Sequence, residues 1–266
     1  MRYNRGMQKL SKKSLIVFDL DGTLAPSKSP LEADMSRALV ALLKQKKVAV
    51  IGGGSYDQFK KQLLAPFKCP PELLKHFFIF PTTSMAFYRY NKGWKEVYRK
   101  VLKESEKKRI MRAFEEVYKE VGYVHPKKVW GTVIEDRITQ MSFSPLGQRV
   151  VDELGSKKGI ALKEKWKKEN NPLRLKMARL LGKKLKNFEV RAGGITTIDV
   201  TRKGIDKGYG VRQIEKHLHV PIRDMVFIGD ALYKGGNDAA AKKSGVQTIA
   251  TSGPKETIGI IKKIID

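Results

Sequence analysis

Two aspartates stand two residues apart in Asp19-Leu20-Asp21-Gly22-Thr23, directly after the apolar run Leu15-Ile16-Val17-Phe18. Side chains two apart at the end of a strand leave on the same side, so both carboxylates can address one substrate. One can attack phosphorus while the other handles the proton of the leaving oxygen. A carboxylate approaching a phosphate is repelled unless positive charge offsets the pair. Three later features supply what the two aspartates lack. Gly54-Ser55 offers a hydroxyl and backbone amides at a loop-to-helix junction, suited to a phosphate oxygen. Lys207, in Gly204-Ile205-Asp206-Lys207-Gly208, is a mobile point charge beside a helix start. Gly229-Asp230, followed by Gly235-Gly236-Asn237-Asp238, adds oxygen ligands for a hard cation. Magnesium takes a few carboxylate and carbonyl oxygens and completes its octahedron with water and substrate phosphate. Asp19, the carbonyl of Asp21, and Asp230 suit that role, so the chemistry expected is magnesium-dependent phosphoryl transfer with Asp19 as nucleophile.

All four features need positions at the carboxyl ends of parallel strands, where open sheets bind their ligands. The pattern provides them. Residues 14–19 form a continuous apolar run suited to a buried strand, and 32–45 carry helical periodicity through Met35, Leu39, Leu42 and Leu43. Residues 48–51 and 77–80 read as further strands, with a helix from about Tyr56. Between about 82 and 202 the character changes to a hairpin turning at Asn91-Lys92-Gly93, a helix over 105–121, strands within 132–143 and 195–200, and a helix over 172–181. From Lys207 the first character resumes, with a helix to about Leu218 and strands at 225–228 and 246–250. The fold class expected is α/β: a Rossmann-like parallel-sheet core from 1–81 and 203–266, carrying an inserted α+β cap over 82–202.

The 54 basic and 27 acidic residues give a net charge of +27. Such a charge concentrates anions near the protein, and a phosphorylated substrate is one of them. The basic residues are spread along the chain instead of gathering in one arm interleaved with aromatics, which reads as a solvated lysine-rich surface and argues against nucleic acid. Cys69 is the one cysteine, so no internal disulfide forms. The apolar run that ends at Asp19 is too short for a signal-peptide core. A cytoplasmic protein without a membrane partner is expected.

Together the Asp-Leu-Asp-Gly-Thr motif, the later serine, the lysine and the late Gly-Asp resemble the four signature motifs of the haloacid dehalogenase (HAD) superfamily. Within its capped IIB subfamily the chain resembles eukaryotic-type phosphomannomutases and their microbial relatives. The matching pieces are Gly53-Gly54-Ser55, residues 131–137, Ser144-Pro145-Leu146-Gly147, residues 193–200, and Gly229-Asp230 with residues 235–238. The resemblance implies Asp19 as nucleophile, Asp21 as acid–base, Ser55 and Lys207 as phosphate holders, and Asp230 as metal ligand. It implies that Asn237 and Asp238 support the site, Asn237 towards the substrate and Asp238 towards the metal. Gly54 and, in the first loop, Lys28 would also face the substrate, as would Arg137, Thr197 and Asp199 of the cap. A homodimer through the cap is a further expectation.

Three departures bear on the reaction. Gln148 stands where an arginine is expected after Ser-Pro-Leu-Gly, with Arg149 one place late, and residues 155–158 offer only lysines for the next cap arginine. Thr82-Thr83-Ser84 replaces a family Glu-Asn-Gly. A mutase must hold a second phosphate while a bisphosphate turns around, and lysine is a poor substitute for a bidentate guanidinium. A phosphatase need only admit water to the aspartyl phosphate. The residues alone therefore favour a sugar-phosphate phosphatase, with phosphomannomutase as the alternative.

Overall fold

The computed structural model describes residues 10–265. The first strand, Leu15–Asp19 (β1), is buried along its whole length. Helix Ala33–Leu43 (α1) leads to Lys47–Ile51 (β2), then Tyr56–Phe59 (α2), which continues as a π turn over Lys60–Leu64. Phe77–Phe80 (β3), Ala86–Tyr90 (β4) and Trp94–Arg99 (β5) follow. Next come Glu104–Val121 (α3), Ile134–Asp136 (β6), Met141–Phe143 (β7), Val150–Lys184 (α4), Phe188–Gly193 (β8) and Thr197–Arg202 (β9). The chain closes with Lys207–Leu218 (α5), Met225–Gly229 (β10), Gln247–Ala250 (β11) and Pro254–Ile265 (α6). No helix among the described residues is long and apolar enough to cross a membrane.

These elements form two compact units, residues 10–99 with 206–265, and residues 100–205. The first is built on a seven-stranded sheet in the order β11-β10-β1-β2-β3-β4-β5. Pairing is parallel from β11 to β3, with Leu15 beside Met225 on one side and Lys47 on the other. Both faces are covered, which is why these strands are nearly all apolar. Ile16, Phe18, Val48 and Val50 pack with Met35 and Leu39 of α1 and Ile261 and Ile264 of α6. Val17, Ala49, Ile51 and Phe80 pack with Val211 and Ile214 of α5.

The hairpin expected in the insert belongs instead to this sheet: β4 pairs antiparallel with β3, and β5 with β4. Its main-chain hydrogen bonds carry the first unit to Arg99, so the limits expected at 81/82 and 202/203 move to 99/100 and 205/206. Residues 1–9 and 266 of the expected core range lie outside the described residues.

The second unit has a four-stranded antiparallel sheet, β6-β7-β9-β8. Phe143, Ile198 and Val200 of its sheet pack with Ile110, Phe114 and Val117 of α3 and with Met177 and Leu181 of α4. α4 is far longer than the expected 172–181. Gly155, Gly159 and Asn170-Asn171-Pro172 read as breaks, yet Lys163, Trp166, Arg174, Met177 and Leu181 are buried at helical spacing through them. Gly155 alone leaves the helical conformation, at φ 76°. Strand β8 was not expected, because only Phe188 and Gly193 of its six residues are buried.

At the end of β3, Thr82, Thr83 and Ser84 all adopt left-handed backbone, with φ of 47°, 55° and 70°. Side chains disfavour this region by about 1–2 kcal/mol per residue. The Ser84 hydroxyl is buried with no hydrogen-bond partner, against the α carbon of Gly210. Ser84→Gly should therefore raise stability by about 1 kcal/mol, after the entropy glycine adds to the unfolded chain. Urea denaturation of the two proteins measures it; a lower midpoint for the variant would show that the serine packs better than this reasoning allows.

Candidate active site

The carboxyl edge of the parallel strands gathers the charged groups. Asp19 ends β1, Ser55 follows β2, Asp230 follows β10, and Lys207 opens α5. α5 starts cleanly because the Asp206 side chain caps it, accepting from the Tyr209 amide at 2.7 Å. Gly208 in its first turn is needed there, since a β carbon would lie 2.5 Å from the Ala240 carbonyl oxygen.

Lys207 donates from one ammonium to both Asp19 and Asp238, and all three are almost completely buried. Asp238 uses its second oxygen to accept from the Ala231 amide at 2.9 Å. Carboxylate oxygens of Asp19, Asp230 and Asp238 lie within 4.8 Å of one another. Burial, followed by the neighbouring carboxylates, raises Asp230 above the ordinary range. Burial likewise lifts Asp19 well above its ordinary value, with Lys207 pulling the other way and Asp238 and Asp230 adding to the rise. Burial works against the Lys207 charge, but Asp19 and Asp238 outweigh it and hold the ammonium protonated. Three carboxylates around one ammonium leave surplus negative charge, with Asp19 and Asp238 buried and Asp230 open to solvent. That donor set fits a hard dication bound through oxygen.

Asp21 stands apart from that trio. Its Oδ1 accepts from the Lys28 amide at 2.6 Å and from the Gln62 side chain at 2.9 Å. Its carboxylate is not one of the clustered trio, which leaves its main-chain carbonyl as the group suited to a cation. Lys28 thus touches the site through its backbone, in a left-handed conformation at φ 55°. Gln62 was not expected, and no sequence spacing points to it, since it lies on the π turn beyond α2. Thr23 is a second unexpected member: its hydroxyl accepts from the Asp230 amide at 3.1 Å and ties the first loop to the end of β10. Gly22 permits that approach, because a β carbon there would meet Asp230 at 2.6 Å.

Ser55 caps α2. Its hydroxyl accepts from the Gln58 amide at 3.3 Å, and its own amide donates to the Gln58 side chain at 3.2 Å. The Ser55 hydroxyl proton can still be given to a phosphate oxygen, so capping and phosphate holding are compatible. Gly54 and Gly52 are held by the left-handed turn, their carbonyls accepting from Thr82 and Thr83 at 2.8 Å each. Asn237 is half-buried beside Asp238.

The second unit contains its own buried polar network. The Arg137 guanidinium donates from Nε to Glu135 at 2.5 Å and from Nη2 to Gln148 at 3.1 Å. Gln148 in turn donates to the Ser142 carbonyl at 2.8 Å, and the Ser142 hydroxyl donates to Asp199. Gln148 therefore occupies the place beside Arg137 and orients it. Thr197 donates to the Gly193 carbonyl at 2.5 Å. Its loop is fixed by Arg174, which was not expected: Nη1 donates to the carbonyls of Ile195 at 3.0 Å, Gly193 at 3.3 Å and Thr197 at 3.4 Å.

A family model described as eukaryotic phosphomannomutase matches residues 35–266. The chain belongs to the eukaryotic phosphomannomutase family. Its relatives include the phosphomannomutase of Encephalitozoon cuniculi, 28% identical over 259 residues, covering 92% of this chain and 91% of that one. The phosphomannomutase of Schizosaccharomyces pombe is 27% identical over 267 residues, covering 96% and 95%. Among solved structures, IMP-nucleotidase of Plasmodium falciparum superposes with a TM-score of 0.71 at 17% identity, over 99% of this chain and 72% of that one. Trehalose-6-phosphate phosphatase of Aspergillus fumigatus gives 0.54 at 16%, over 97% and 96%. At these identities the structural likeness is one of fold, the HAD fold. Membership makes the chain an enzyme of HAD-type phosphoryl transfer. The family match begins beyond Asp19 and Asp21, so those two rest here on their geometry with Lys207, Lys28 and Gln62.

Proposed function

We propose that the protein is a sugar-phosphate mutase of the phosphomannomutase type, interconverting the 1- and 6-phosphates of mannose or a similar hexose. The observation that carries this reading is the reach of the family match: it runs through the whole of the second unit as well as most of the first. The sequence-based preference for a phosphatase gives way to it.

Asp19 attacks one phosphorus of a hexose 1,6-bisphosphate, forming an aspartyl phosphate as that sugar oxygen leaves. The free hydroxyl of a hexose monophosphate then attacks the aspartyl phosphate, regenerating the bisphosphate and freeing Asp19. Lys207 holds Asp19 in place and offsets charge as the phosphoryl group arrives. Asp21, fixed at Oδ1, uses Oδ2 to give the leaving oxygen its proton and to take one from the returning hydroxyl. Ser55 and the amides of its loop steady the phosphate oxygens. Asp19 and Asp230, with the Asp21 carbonyl, would hold a magnesium ion, which would supply positive charge to offset carboxylate–phosphate repulsion. In the second unit, Arg137, Thr197 and Asp199 are the groups offered for the sugar and its other phosphate.

Gln148 favours a second reading, a phosphatase. Where two guanidinium groups would grip a phosphate, an amide now accepts from Arg137. Retention of the bisphosphate intermediate should be weaker, and water should intercept part of the aspartyl phosphate. The test incubates the enzyme with magnesium, mannose 1-phosphate and a trace of the 1,6-bisphosphate, following free phosphate and mannose 6-phosphate together. The mutase reading expects 6-phosphate to form several times faster than free phosphate. It also expects Gln148→Arg to lower the share of free phosphate by about tenfold, the worth of one charge-assisted contact. Free phosphate dominating in both proteins would establish the phosphatase instead.

A further inference from the structure

The opposite, amino-terminal end of the same parallel sheet carries a second concentration of positive charge. A groove of about 440 Å³ is lined there by Lys47, Lys75, Phe78, Arg89, Asn91 and His217 among others, with no carboxylate in its wall. Lys47 opens β2, Arg89 sits near the end of β4, and His217 lies in the last turn of α5, the helix that begins at Lys207.

Strand register explains how the cations meet. Ala49 pairs with Phe78 and Phe78 with Arg89, while Arg89 lies directly opposite Lys95 on β5. Residues two apart share a face, so Lys47, Phe78, Arg89 and Lys95 all project from the α5 side of the sheet. Like charges directly opposite each other destabilise a strand pair. Neither Arg89 nor Lys95 has an ion pair among the described residues, and the same holds for Lys47 and Lys75. Elsewhere on the same hairpin the fold does pair its charges, Arg99 with Glu96. The field is felt locally: burial first, then Lys75 and Lys47, lower the affinity of His76 for its proton. His217 is lowered too, by burial and then by Lys216 and His219, which leaves a neutral ring that can donate one hydrogen bond.

We propose that this groove is an anion site, distinct from the Asp19 centre, that takes the phosphate groups of a small di- or triphosphate. Three convergent cations match a charge of three to four. Concavity separates the groove from the lysines spread over the rest of the surface, and Asn91 and His217 add neutral donors. α5 joins the two sites: its twelve residues span about 18 Å from Lys207 to the groove.

The test titrates inorganic pyrophosphate, and separately ATP, into the full chain by calorimetry with chelator present. Without a cation, the surplus carboxylate charge around Asp19 repels both probes, so binding reports the groove. One site is expected, weakened by salt. The charge swap Lys47→Glu with Arg89→Glu should weaken pyrophosphate at least about tenfold. Circular dichroism and turnover of p-nitrophenyl phosphate should not change. Lys75→Gln, at an exposed position on the groove, provides a milder second variant and should weaken binding about threefold. A control swap on α4, Lys165→Glu with Lys168→Glu, changes net charge equally and should leave affinity unchanged. No pyrophosphate binding at millimolar concentration, or an equal loss in the control, would overturn the proposal. So would tight binding of RNA with neither small anion bound.

Discussion

Asp19→Asn should reduce turnover of every phosphate monoester to background, yet give a protein at least as stable as the original when metal is chelated. The first half follows from chemistry. Only an ionised carboxylate can attack phosphorus and carry the phosphoryl group, and the amide of equal size cannot. The second half follows from the electrostatics of the site. Asp19 is held well above its ordinary proton affinity chiefly by burial, despite its pairing with Lys207. A carboxylate whose folded value is raised contributes stability that is complete below its unfolded value, near pH 4, and lost as pH rises through the folded value. At neutral pH and without a cation, Asp19 therefore costs the fold free energy, and asparagine removes that cost. Lys207 keeps Asp238 as its partner in the variant. Thermal unfolding followed in chelator from pH 4 to 8 should fall less steeply for Asp19→Asn than for the original. Substantial turnover by the pure variant would remove Asp19 as nucleophile; a variant unfolded at all pH values would show that the Asp19–Lys207 pair holds the fold together.

The parts of this site that were legible in the sequence are those set by element ends. Asp19 and Asp230 sit where apolar runs stop, and an apolar run buried on both faces is hard to mistake for anything else, while Lys207 stands at a helix start marked by Asp206. The partners that reach them from the side were not legible. Gln62 arrives at Asp21 from a π turn whose spacing matches no simple period, and Thr23 meets the Asp230 amide across two strands. The hairpin of β4 and β5 was legible as a hairpin through Asn91-Lys92-Gly93, but which sheet it joins depends on the pairing of Ile79 with Tyr88, a contact that periodicity does not encode. In the second unit, polar and glycine-rich stretches hid most of α4, where burial of Trp166, Met177 and Leu181 overrides the breakers Asn171 and Pro172. Gln148 shows the same limit on a functional scale. Its identity was read as the loss of an arginine, while its hydrogen bond to Arg137 shows it also as the residue that orients the remaining one.

Asp21→Asn should produce the second largest loss, and the loss should depend on the leaving group. The carboxylate is fixed at one oxygen by the Lys28 amide and the Gln62 side chain, so the other oxygen is the one that exchanges a proton. Asparagine preserves an acceptor for both donors and the shape of the loop, but it cannot carry that proton. With a hexose phosphate, whose alkoxide is a poor leaving group, the rate should fall about 10²- to 10⁴-fold, the usual worth of general acid–base catalysis. With p-nitrophenyl phosphate the departing phenolate needs little protonation, so the first chemical step should be nearly unimpaired. The second step, in which a hydroxyl or water attacks the aspartyl phosphate, still needs a base. Rapid mixing with p-nitrophenyl phosphate should therefore show a burst of about one p-nitrophenolate per enzyme, followed by slow turnover and a protein that carries phosphate on Asp19. Equal losses with both substrates and no burst would mean that Asp21 only shapes the loop, and the proton would then have to move through a group other than Asp21.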